Sequence, residues 1–234
     1  MKSFAAVFLV CIALSSTASA TLLGTLNVQN RNNNLSDVGT IVRGGGLRDL
    51  SCYTGVYSWR NTGFTGLGEY APNWGFCIEL TQEPRTGWQS IIPLNEASLP
   101  AAYGTPVGNN KADYIRELWG RFFDPAWATG ANKKLSEAFG VALWEIIYET
   151  GSTWNVSSGS GFRASGIEQA ATANFWLSQL NGDAVYFANN LFATSSPCGQ
   201  DFLIELPKSV VIPEPVTFLM LGLGTLVAVR KRKV

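Results

Sequence analysis

The chain has 234 residues with 17 basic and 17 acidic side chains, no histidine, 46% hydrophobic and 12% aromatic residues. That apolar content supports a packed core and excludes a disordered chain, while zero formal charge supplies no field for a nucleic-acid backbone. Without imidazole there is no histidine base and no histidine metal ligand, which removes most hydrolytic triads and most zinc sites.

Residues 1–20 open with Lys2, run apolar from Phe4 to Leu14 and end on Ala18-Ser19-Ala20. This is the pattern of a secretory signal peptide whose cleavage site is read from Ala18 and Ala20. Ser15-Ser16-Thr17 interrupts the run, leaving it too short to span a membrane. Cys11 lies inside the apolar run, ahead of the small-residue site, which argues against lipid attachment. Up to about residue 95 the chain is rich in Gly, Asn, Thr and aromatic residues. Its short apolar runs at 22–28, 51–59 and 74–80 predict strands. Asn30 to Asn34 and Gly44-Gly45-Gly46 read as turns, since no strand–Gly–helix unit with Lys and Ser or Thr surrounds the glycines.

The period then becomes helical. Ile115, Leu118, Trp119 and Phe122 recur at i, i+3, i+4, i+7 before Asp124-Pro125 ends the run. Leu135, Ala138, Phe139, Ala142, Leu143, Ile146 and Ile147 form a second stripe, with Gly151 as its expected C-terminal cap. Ser165 and Glu168 have capping-box spacing ahead of a third helix carrying Ala170, Ala173, Leu177 and Leu180. Phe202, Ile204 and Leu206 alternate as in a last strand. The expected fold class is α+β, an antiparallel β-sandwich-like domain with an inserted helical segment. It occupies residues 21–211, between the signal peptide and a C-terminal transmembrane sorting helix. Setting Lys2, Glu214 and the last basic run aside leaves this body at a net charge of about −4.

The C-terminal end reads Pro213-Glu214-Pro215, an apolar segment to Val229, then Arg230-Lys231-Arg232-Lys233. A segment of 14 residues spans only about 21 Å as a helix, short of the ~30 Å hydrocarbon core, so it suits a transient anchor. The basic run stays cytoplasmic while the body lies outside. These three parts in this order closely resemble the PEP-CTERM sorting signal of Gram-negative bacteria. The resemblance implies export, transient anchoring in the inner membrane, cutting near Pro213-Glu214-Pro215 by an exosortase, and delivery to the cell surface or extracellular matrix.

A second resemblance crosses the body. Phe76-Cys77-Ile78-Glu79-Leu80, Leu118-Trp119, the run from Phe139 to Ile146, and Gln200-Asp201-Phe202 are similar to the thioester domains of bacterial surface adhesins. In that family a strand Cys is joined to a Gln side chain, and an amine on a partner attacks the acyl carbon and displaces the thiolate. On this resemblance Cys77 stands in the thioester-like position. The helix residue expected to be Gln is Gly140, which has no carboxamide. The resemblance therefore implies the fold without the bond, and covalent capture through Cys77 returns only if another Gln supplies the acyl group. Gln82, Gln89, Gln169 and Gln200 lack the helix pattern around them.

Removing the signal leaves Cys52, Cys77 and Cys198, an odd number in an exported protein. Oxidising surroundings favour one bridge. Cys52 with Cys198 leaves Cys77 single, and Cys52 with Cys77 is the alternative. Flanked by Phe76 and Ile78, Cys77 also reads simply as a buried small hydrophobe. Glu79, Asp124, Glu145 and Glu149 are the carboxylates from which a glycosidase pair could come. Glu145 and Glu149, at i, i+4, read as a solvated helix face. Asp37, Asp49 and Asp183 are scattered and make no calcium loop, so neither metal nor cofactor is expected. Trp59, Trp74, Trp88, Trp127 and Trp154 fall outside the periodic stripes and are candidates for stacking on sugars or partner proteins. The expected function is a non-catalytic adhesin-like or structural module at the cell surface or in the matrix, binding polysaccharide or surface partners. The competing expectation is a secreted glycan-active enzyme.

Overall fold

A computed structural model describes residues 20–32, 36–44, 47–66, 71–99 and 106–206. The signal peptide with Ala18, and the sorting signal with Pro213, Glu214, Pro215 and Arg230 to Lys233, lie outside them; Ala20 is the first described residue. Among the described residues no helix is long and apolar enough to cross a membrane.

Eight strands and three α-helices build the fold: β1 (Gly24–Asn32), β2 (Ser36–Gly44), β3 (Leu47–Gly66), β4 (Trp74–Cys77), β5 (Gly87–Pro93), α1 (Gly108–Phe122), α2 (Lys133–Tyr148), β6 (Phe162–Ser165), α3 (Ala170–Ser178), β7 (Leu191–Ser195) and β8 (Phe202–Glu205). The α+β class and the inserted helical segment match the sequence reading. The sandwich does not. The strands run β1-β5-β7-β8-β4-β3, and β3 pairs back onto β1, which closes a six-stranded antiparallel barrel. The physical reason is the length of β3. Its second half pairs with β1 and β4, while its first half pairs with β2, which carries β6 outside the ring. The two halves meet at Gly55, whose φ of 111° is open to glycine and strained for other residues. One sheet therefore serves both regions, and closure leaves the barrel strands no free edge.

Alternation puts Leu26 and Val28 of β1 inward with no exposure, and Phe76, Ile91, Phe202 and Ile204 join them. The helices cover the barrel on the side of β3 and β4. Helix α1 buries Ala112, Ile115, Leu118 and Trp119, while α2 is buried over most of its surface, as a helix between two packed layers must be. An aromatic column joins helices to barrel: Phe76 lies 5.1 Å from Phe139, Phe139 lies 5.3 Å from Trp127, and Trp119 stacks on Phe123 at 4.1 Å.

Two expected helix boundaries change. Helix α2 ends at Tyr148 with Glu149 extended as its cap, and Gly151 instead donates its N–H to the Glu149 carboxylate. Ser165 closes β6, and α3 starts after Gln169 with no side-chain cap. The capping-box spacing is overridden there by strand pairing of β6 with β2.

Candidate functional site

Strand β4 ends at Cys77, opposite Phe202 of β8. Side chains two apart on a strand share a face, so Gln200, two residues before Phe202, falls on the side of Cys77. The chain beyond Cys77 is held by α2 and by the approach to β8. The Trp144 indole N–H donates to the Cys77 carbonyl at 2.7 Å, the Tyr148 hydroxyl donates to the Ile78 carbonyl at 2.9 Å and accepts from Leu80 N–H at 3.1 Å, and Ile78 N–H donates to Asp201 O at 3.0 Å. With those bonds made, the Glu79 carbonyl accepts two donors at once: the Cys77 thiol at 2.9 Å and the Gln200 side-chain N–H at 2.8 Å. Thiol and carboxamide therefore lie no further apart than these two bonds laid end to end.

Both groups are nearly buried, at 2% and 7% exposure. The Gln200 Oε1 has no partner among the described residues. A cleft of about 620 Å³ lies above, lined by Cys52, Tyr53, Tyr57, Leu80, Trp144 and Gln200 among others. Burial, foremost, pushes the Cys77 thiol well above its ordinary range, and the thiol of Cys52 and the carboxyls of Glu79 and Asp201 push the same way. Burial likewise raises Cys52 to about 11, against a hydrogen bond with Thr54. Asp201 is raised to about 7, by burial first and by the charge of Glu79. Because Trp144 supplies the one printed donor to a buried carbonyl, Trp144→Phe is expected to cost about 2 kcal/mol, as an orphaned polar group does. A urea midpoint reads this directly.

Gly140 has moved out of the reckoning as an acyl partner. It sits where α2 crosses β3, and a Cβ there would lie 3.0 Å from both Gly55 N and Thr54 Cγ2. Glycine here is a close-packing residue. The structure brings a different glutamine, Gln200, to Cys77. The cue for it in the sequence is its position at the head of the alternating Phe202, Ile204, Leu206 stripe, a polar residue starting an apolar face.

The expected bridges do not form. Cys77 and Cys198 carry free thiols, so neither Cys52–Cys198 nor Cys52–Cys77 is present. Cys198 stands exposed in the β7–β8 turn, whereas Cys52 is half-buried on β3 against the cleft. Glu145 and Glu149 also depart from expectation, since both are buried rather than solvated. The chain after α2 folds back and gives them its N–H groups: Asn155 N–H donates to Glu145 at 2.7 Å, and Thr150, Gly161 and Phe162 donate to Glu149. Burial raises Glu145 to about 7. Asp124 accepts from Ala126 N–H and caps the short turn after α1. None of Glu79, Asp124, Glu145 and Glu149 is among the residues lining the cleft. Of the five tryptophans, Trp59 and Trp127 are core residues, Trp74 and Trp154 are half-buried, and Trp88 is exposed on β5. Among the described residues no group of three or more Cys, Asp and Glu could hold a metal ion.

No protein family, curated protein or solved structure matches the chain.

Proposed function

We propose that this is an exported bacterial surface or extracellular-matrix protein, delivered by exosortase processing after transient anchoring in the inner membrane, and that its body holds partners through an acyl bond made at Cys77 and Gln200. The observation that carries the reading is the single Glu79 carbonyl shared by the Cys77 thiol and the Gln200 amide. The address rests on the tail from Pro213 to Lys233. In the closing step the Cys77 sulfur adds to the Gln200 Cδ, the carbon–nitrogen bond breaks, and the thiol proton leaves with the nitrogen as ammonia. The resulting thioester is a masked electrophile. An amine on a matrix polysaccharide or surface protein then takes the acyl group and frees the thiol, once per molecule and without turnover.

The test is an intact mass of the exported protein beside Cys77→Ala and Gln200→Ala variants. The expected wild-type mass is short by one ammonia, restored by added methylamine as one adduct, and both variants show their full mass. A wild-type mass that is complete, with Cys77 open to a thiol label after denaturation, would falsify the acyl bond. It would favour the second reading, a non-covalent binding module, for which the free Cys77 thiol and the aromatic walls of the cleft, Tyr53, Tyr57 and Trp144, are the supporting features.

A further inference from the structure

Opening the acyl bond described above creates a demand for protons, and this inference rests on that reading. When an amine attacks the Gln200 acyl carbon, the carbon–sulfur bond breaks, its electron pair goes to the Cys77 sulfur, and the new carbon–nitrogen bond leaves a proton to be shed. The sulfur is buried, and everything around it disfavours its anion. A thiolate that costs this much to form leaves slowly unless it is protonated as it departs.

The chain offers few groups for the task, beginning with its lack of histidine. The tyrosine hydroxyls packed here are engaged, Tyr148 with Ile78 and Leu80 and Tyr57 with the Tyr53 carbonyl. Cys52, on β3, holds its proton more tightly than water-exposed thiols do. Glu83 and Arg85, on the loop that flanks the cleft, are exposed. Two buried carboxyls remain, Glu79 at 7% and Asp201 at 4% exposure. Glu79 contributes the carbonyl that touches both reacting side chains. Its Oε1 accepts from Thr81 at 2.6 Å, and its Oε2 is buried with no partner among the described residues. Asp201 directly follows Gln200, and its Oδ1 accepts from Ser196 N–H at 2.8 Å.

We propose that Glu79 and Asp201 are the proton-handling pair of this site, giving a proton to the Cys77 sulfur as it leaves and taking the one the incoming amine sheds. Charge balances within the step, since one proton enters from the amine and one goes to sulfur. Asp201 suits the donor half because burial, then the charge of Glu79, keep it protonated up to about 7, so the acid is present in neutral water.

The experiment follows adduct formation by intact mass with methoxyamine, a nucleophile already unprotonated across neutral pH, on the wild-type protein and on Asp201→Asn and Glu79→Gln. The wild-type rate is expected to fall as the pH rises through about 7, because only the protonated carboxyl donates. Each variant is expected to lose about a hundredfold in rate, and Asp201→Asn also to lose the pH dependence. A wild-type rate that is flat or rising across that pH range overturns the pair even where a variant fails to fold. So do variants that react at the wild-type rate with the wild-type profile. A complete wild-type mass with no methoxyamine adduct overturns the acyl bond itself, and the pair with it.

Discussion

Replacing Glu149 by glutamine is expected to lower the melting temperature by about 10 °C, corresponding to about 3 kcal/mol in a domain of this size. The carboxylate gathers Thr150 N–H at 2.8 Å, the Gly151 N–H, the Ser160 hydroxyl at 2.8 Å, Gly161 N–H at 3.0 Å and Phe162 N–H at 3.2 Å. An amide presents an NH2 group where these donors need an acceptor, and buried donors left unpaired are costly. The same bonds fix the pH dependence. Burial opposes ionisation of Glu149, but the donors of Gly151, Ser160, Gly161 and Phe162 outweigh it and hold the carboxyl at about 2, below its ordinary 4.5. A carboxyl depressed in the folded state contributes stability that is present above its unfolded value and lost as the pH falls through the folded one. Glu145 and Asp201 carry the opposite sign: each is raised to about 7, so their contributions are present below the ordinary carboxylate range and fade as the pH rises toward 7. Stability is therefore expected to peak in mildly acidic solution, with Glu149→Gln flattening only the acid limb. Urea midpoints at several pH values check this, and a maximum above pH 7 would contradict it.

Gly140→Gln is the second large effect expected. It puts a glutamine where the Gly140 alignment expects one, yet the structure predicts about 3 kcal/mol of lost stability and no acyl bond made through residue 140. The obstacle is backbone. A Cβ at 140 meets Gly55 N at 3.0 Å, and the neighbours Phe139 and Val141 are fully buried, so α2 must lift from β3 to admit a longer side chain. Even Gly140→Ala gains helix propensity only by pressing on that contact. A Gly140→Gln protein as stable as wild type would mean that the crossing of α2 and β3 is looser than these distances require.

Elements with a strong local period were legible in the sequence. Helices α1 and α2 follow the stripes from Ile115 and Leu135, and β8 follows the alternation of Phe202 and Ile204. Closure of the barrel was not, because pairing of β1 with the far half of β3 depends on long-range register that no local period encodes. Within the site, Cys77 was visible as a cysteine on a strand. Its neighbour was hidden, since Gln200 lies 123 positions away and reaches Cys77 only through the register of Cys77 with Phe202. The burial of Glu145 and Glu149 was masked for a related reason: the loop that turns helix-surface positions into interior ones comes after the helix and has no pattern of its own.

The place of Gln200 at the mouth of β8 has a mechanical consequence. A partner joined to its acyl carbon, on a protein tethered from its C-terminal side, would pull along the backbone of residues 200–206 alone before the tension left the body. The line of force would bypass the barrel and helices, so the grip would be as strong as the covalent chain and indifferent to how marginally the rest of the domain is folded.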